Sequence, residues 1–200
     1  MPCSRRVDAA PLRASAHAVL VLLMLATLAF AYVPSAHADV VPVESAELRV
    51  DDQDLLLSAD FDLTLTPALE EALQKGIPLY FTTEFELVRT RWYWLDEKVA
   101  QWSGTYRVSY NAITQQYRVG SGPLGQAFDS LAEVLRFVGR VPNRQVAQVD
   151  VLVKGARYEA AVRLRLDANQ LPKPFQLNAL ASREWQLSSD WYRWSFTYSP

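Results

Sequence analysis

Paired carboxylates are the first residues in this 200-residue chain whose spacing could support chemistry. Asp60 and Asp62 stand two apart, as do Glu84 and Glu86, and Asp96-Glu97 follows further along. Two carboxyl groups facing one another across a cleft can divide the acid and base work of glycoside hydrolysis. Any solvated strand face produces the same spacing, so hydrolysis also requires a cleft that joins such a pair. Other chemistries are restricted by where residues fall. Cys3, His17, His37, Met1 and Met24 are the only cysteine, histidines and methionines, and all precede residue 39. A chain starting at Asp39 lacks a Ser-His-Asp triad, a thiol nucleophile, the usual zinc and copper ligands and most haem ligation. Ser188-Ser189-Asp190 shows no partnered lysine arrangement, and Asp51-Asp52-Gln53-Asp54 lacks the glycine and closing glutamate of an EF-hand loop.

Two further motifs concern binding. Gly120-Ser-Gly-Pro-Leu-Gly125 has the G-x-G-x-x-G spacing of a dinucleotide fingerprint. Pro123 removes a backbone donor from the turn, and the preceding segments alternate like antiparallel hairpins, so a turn that opens a helix is the better account. Arg89, Arg91, Trp92, Trp94 and Asp96 form the densest cluster of contact-type side chains, and Trp191 and Arg193 form a second. Rigid indoles and forked guanidiniums are enriched in binding hot spots. The bland alternative places the aromatics in a sandwich core and pairs the arginines with carboxylates on neighbouring strands.

The elements that would carry these residues are mostly strands. Glu44 to Val50 alternate, as do Leu55 to Leu65, around a polar turn. Thr66-Pro67 starts a short helix that Gly76 ends. A long extended stretch runs from Leu79 to about Leu95. Its apolar parity changes near Val88, which predicts a bulge or twist near Arg89 to Arg91. Trp102 to Tyr110 and Gln116 to Gly120 complete a meander. Phe128, Leu131, Ala132, Leu135 and Val138 mark a second helix, ended by Gly139 and Pro142. Ala147 to Val153 and Tyr158 to Leu166 read as a hairpin about Lys154-Gly155. A proline-stiffened link over Leu171 to Phe175, one or two helical turns over Gln176 to Ser182, and a strand from Trp191 to Tyr198 finish the chain. The expected fold is an antiparallel β-sandwich of seven to eight strands, Ig-like in architecture, with two short helices.

Before this domain, Arg5, Arg6 and Arg13 precede an apolar run from Val19 to Ala31, and Ala36-His37-Ala38 supplies a peptidase site. This pattern predicts a signal-peptide helix within residues 1–38, cleavage between Ala38 and Asp39, and one periplasmic domain over residues 39–200. The alternative is an uncleaved inner-membrane anchor. Cleavage would reduce the 20 basic and 22 acidic residues to 17 and 21, leaving a formal charge of −4. Nothing in that balance favours nucleic acid, and no membrane span is expected after cleavage.

Several segments recur together in a known pattern: Gly76-Ile-Pro-Leu-Tyr-Phe81, Trp92-Tyr-Trp-Leu-Asp96, Tyr106-Arg-Val-Ser-Tyr110, and the tail Leu171-Pro-Lys-Pro-Phe-Gln-Leu-Asn-Ala-Leu180 with Trp185-Gln-Leu-Ser-Ser-Asp-Trp191. The chain resembles a family of exported proteobacterial proteins described as domain of unknown function 4390. The resemblance implies an envelope location and assigns no cofactor, metal or catalytic residue. Neighbouring family genes often encode a membrane sensor kinase and an rRNA methyltransferase, which implies by association a sensor-kinase ectodomain as partner. The expectation is therefore a non-enzymatic envelope protein that binds another protein through Arg89, Arg91, Trp92, Trp94, Asp96, Trp191 and Arg193. A small-ligand or glycan binder with an aromatic groove is the alternative, and a carboxylate-dependent hydrolase the third.

Overall fold

The computed structural model describes residues 41–89, 96–122 and 125–199. The predicted signal helix and its cleavage site lie outside the described residues. A hairpin opens the fold, β1 (Val43–Asp51) and β2 (Asp54–Phe61), turning at Asp52 with φ 51°. The helix α1 (Pro67–Gln74) begins as the sequence predicts. Thr66 accepts a hydrogen bond from the Leu69 N–H, and Gly76 adopts φ 83° beyond the helix end.

The meander follows as β3 (Leu79–Arg89), β4 (Glu97–Asn111), β5 (Gln116–Gly120) and β6 (Gln126–Phe128). Asn111 Oδ1 accepts from the Ile113 and Thr114 amides, which shapes the β4–β5 turn. Next come α2 (Leu131–Val138), β7 (Arg140–Gln148), β8 (Arg157–Leu166), α3 (Lys173–Ala181) and β9 (Tyr192–Thr197). The described residues thus hold nine strands, one beyond the expectation, and three α-helices, the third taking in the helical turns expected at Gln176 to Ser182. Strand β6 is the extra strand, and α3 starts earlier than expected. β6 has only three residues, and Lys173-Pro174 opens α3 inside the stretch that the prolines mark in sequence as a linker.

Two antiparallel sheets result, ordered β1-β2-β7 and β6-β5-β4-β3-β8-β9. Their facing sides share one core. Leu55, Leu57 and Ala59 on β2 meet Phe81, Phe85 and Leu87 on β3, Val108 on β4, and Tyr158, Ala160, Val162 and Leu164 on β8. Fully burying each large apolar side chain is worth roughly 1.5–3 kcal/mol, and this sum holds the two layers together. No helix among the described residues is long and apolar enough to cross a membrane.

Three local expectations need correction. Residues 147–166 do not form a hairpin. β7 pairs with β2 in the small sheet and β8 with β3 in the large one, with a 3-10 turn over Val149–Val151 between them. Gly155 does adopt φ 75°, but there the chain crosses from one layer to the other. The bulge or twist expected near Arg89 to Arg91 lies mostly outside the described residues, and the bulge that is described belongs to β4. Leu87 pairs with Ala100 and Val88 with Lys98, which leaves Val99 as the extra residue, while the β3–β8 register is unbroken through Arg89. Helix α2 buries Val134 and Val138 while Ala132 is exposed, and Pro142 lies in β7 instead of ending the helix. A proline there costs no ladder bond if its missing N–H faces the free edge of the sheet. Finally, β2 ends at Phe61. Residues 62–65 keep the in-and-out alternation, with Leu63 and Leu65 buried and Asp62 and Thr64 exposed, yet belong to no strand.

Candidate binding cleft

The contact residues expected from sequence do not form one patch among the described residues. Arg91, Trp92 and Trp94 lie outside them. Arg89 closes the row of β3 residues whose side chains face the core, opposite Tyr158 on β8. Its guanidinium pairs with Glu97, and its Nε is buried without a hydrogen-bond partner among the described residues. Asp96 stands exposed just before β4 and is engaged by a neighbour. Trp191 and Arg193 do come together, on the outer face of the large sheet. Arg163 lies over the Trp191 ring, 4.5 Å from its centroid, and Arg193 pairs with Glu159 at 3.2 Å.

That outer face carries the best-connected charges in the protein. Glu84 on β3 is gripped through both oxygens, by Arg163 at 2.6 Å and Arg165 at 2.9 Å on β8. Arg165 also reaches Asp167 at 3.4 Å. The register explains the grip, since Glu84 lies directly opposite Arg163 and diagonal to Arg165. Burial works to raise the Glu84 pKa, but the two guanidiniums outweigh it and hold the carboxyl below its ordinary value. Asp167 is likewise lowered: burial opposes the shift, and hydrogen bonds from Gln170 and the Asn169 amide, with the charge of Arg165, override it. This is a cross-strand clamp with its charges matched internally. Glu86, the other member of that predicted carboxylate pair, is tied to Lys98 at 2.7 Å.

A concave site lies elsewhere, where the chain runs on past the end of β2. A cleft of about 510 Å³ opens between residues 60–64 and helix α2. Such volumes are typical of ligand sites. Phe61, Leu63 and Leu135 form its apolar floor. Glu44, Asp60 and Asp62 bring carboxylates to one side, and Arg136 and Arg140 bring guanidiniums from α2 and the start of β7. Asp60 is partly committed, accepting from Arg140 Nε at 2.8 Å and from Ser45 Oγ at 3.5 Å. Arg136, Glu44 and Asp62 are exposed and make no ion pair with another described residue.

Two local devices hold the cleft walls. Ser130 caps α2 by accepting from the Glu133 amide at 3.3 Å, with the Ser-x-x-Glu spacing of a capping box. At the other end of the helix, Gly139 lets two backbones touch. The Phe61 N–H donates to the Gly139 carbonyl at 2.9 Å, and a Cβ on Gly139 would sit 2.6 Å from the Phe61 oxygen. The sequence marks Asp60 and Asp62 as a pair but gives no sign of the cleft, because its other wall is about 70 residues away in the chain. Gly139 after an amphipathic helix is the one local signal of it.

A family model described as a domain of unknown function, DUF4390, matches residues 38–195. The chain belongs to this family. No curated protein and no solved structure matches it.

Proposed function

We propose that this DUF4390 protein is an exported, non-enzymatic envelope domain that binds another protein, and that the cleft between the end of β2 and α2 is its binding site. The observation that carries the reading is the cleft's makeup: about 510 Å³ of open volume, an apolar floor, and Arg136, Glu44 and Asp62 left to meet charges from outside. Apolar contact would supply affinity and the flanking charges would select the partner. A sensor-kinase ectodomain is the first partner to examine. The aromatic groove that a glycan binder needs is not what lines this cleft, whose single ring, Phe61, is buried in the floor. A photo-crosslinking residue in place of Ala132, which is exposed on the cleft wall, would capture a partner in intact cells. The reading predicts a specific adduct from position 132 and none from position 193, on the outer face of the large sheet. Adducts from position 193 alone would move the interface to Trp191 and Arg193. End-group sequencing of the same protein from the periplasmic fraction should begin at Asp39. A chain that retains Met1 in the membrane fraction would establish the anchored alternative.

A further inference from the structure

The residues after β2 are strand-like in alternation but belong to no ladder. Phe61 directs its N–H toward the α2 side, to the Gly139 carbonyl, and Asp62 directs its own toward β1, to the Pro42 carbonyl, both at 2.9 Å. In an extended chain successive peptide groups point to opposite edges. Leu63 therefore directs both its N–H and its C=O toward the α2 side, into the cleft. Neither Leu63 nor Thr64 has a main-chain hydrogen bond to another described residue. The reason is topological: β7 begins at Arg140, and the chain before it turns away as α2, so the ladder next to β2 stops at Phe61. Main-chain groups left open at a sheet edge are a template for an added strand.

We infer that the cleft recognises its partner by strand addition. An extended segment of the partner lies between residues 62–64 and α2 and exchanges main-chain hydrogen bonds with Leu63. This inference rests on the cleft being the protein-binding site and specifies how that site works. Charge complementarity defines the segment further. It presents a basic side chain to Glu44 and Asp62 and an acidic one to Arg136, with apolar residues over Leu63 and Leu135. Side chains on a strand alternate between faces, so ionic and apolar positions in the segment should alternate too. Only two or three residues need pair, since the open stretch ends where Thr66 caps α1.

The test uses the exported protein, purified from cells expressing the full chain, and a displayed library of random twelve-residue peptides. Selected peptides are re-tested on Arg136→Glu, then in forms N-methylated at one amide at a time. Strand addition predicts that binding slows exchange of the Leu63 amide at least tenfold and leaves Thr64 unchanged. Methylating one particular peptide amide should weaken binding about tenfold while its immediate neighbours tolerate it. Peptides that bind wild type, lose affinity for Arg136→Glu and leave Leu63 unprotected would overturn strand addition while sustaining the cleft. Peptides that bind equally well to Arg136→Glu, or no selected peptide at all, would overturn both.

Discussion

Replacing Gly139 with alanine sets two physical effects against each other, and the sign of the result decides between them. Gly139 has φ −70° and ψ −10°, a helical conformation that alanine adopts freely. On backbone entropy alone the substitution should stabilise the protein by about 0.4–1 kcal/mol. Sterics oppose it. The added Cβ would stand 2.6 Å from the Phe61 carbonyl oxygen and 3.1 Å from that of Leu135. Both are main-chain atoms, one in β2 and one in α2, so no side chain can rotate away. Relief requires α2 to move off β2, which strains or breaks the bond from the Phe61 N–H to the Gly139 carbonyl, worth about 1 kcal/mol. Overpacking against rigid backbone adds about 1–3 kcal/mol. The net expectation is a loss of about 2–3 kcal/mol, read by urea unfolding, with a fall in Tm of roughly 5–10 °C. The cleft walls would also separate, so peptide affinity should drop along with stability. A Gly139→Ala protein as stable as wild type, or more stable, would refute the close approach and with it the geometry of the cleft.

Other substitutions probe separate parts of the fold. Gly76→Ala meets open space but must hold φ 83°, so it should cost about 1–2 kcal/mol from backbone strain alone, with no effect on peptide binding. Gly104→Ala would place a Cβ 2.6 Å from the Trp102 ring, which folds over Gly104 beneath Arg144. A side chain can yield, so the loss should be about 1–2 kcal/mol, accompanied by a change in tryptophan emission. Glu84→Gln leaves Arg163 and Arg165 without their shared anion and should cost about 1–3 kcal/mol in urea, reduced at the upper end by the partial exposure of both arginines. The native pKa values of Glu84 and Asp167 are lowered, so the unfolded state binds more protons in acid. Their stabilisation is complete above the ordinary carboxylate values of 4.5 and 3.8 and is lost as pH falls below them. Glu84→Gln should therefore flatten the acid limb of the stability–pH curve, and an unchanged limb would contradict the clamp.

Much of this architecture is legible in the sequence where a local signal exists. The Thr66-Pro67 cap, the β1–β2 hairpin and the alternation on β8 depend on residues close together in the chain, and the structure follows them. The errors arise where a distant neighbour decides. Ala147 to Val153 alternate well enough for a strand, but β7 is fixed by its pairing with β2, and the chain has to leave that sheet to reach β8. The described bulge lies on β4, with Val99 as the extra residue, and it follows from how β4 pairs with β3, which no local signal in the sequence marks. The cleft is the extreme case. Leu63 alternates like a strand residue, and only the departure of α2, some 70 residues later, leaves its main chain open. The outer-face clamp shows the reverse: Arg163 and Arg165 are visible in the alternation of β8, yet their partner on β3 is set by tertiary register.

If the cleft holds a partner segment by charge as well as shape, a charge-reversal pair separates the two contributions. Position 132 carries the photo-crosslinking residue, and Arg136→Glu is combined with reversal of the acidic residue in the captured segment. Arg136→Glu should abolish the adduct, and the double reversal should restore it. An adduct of equal yield in the Arg136→Glu protein would contradict a role for charge.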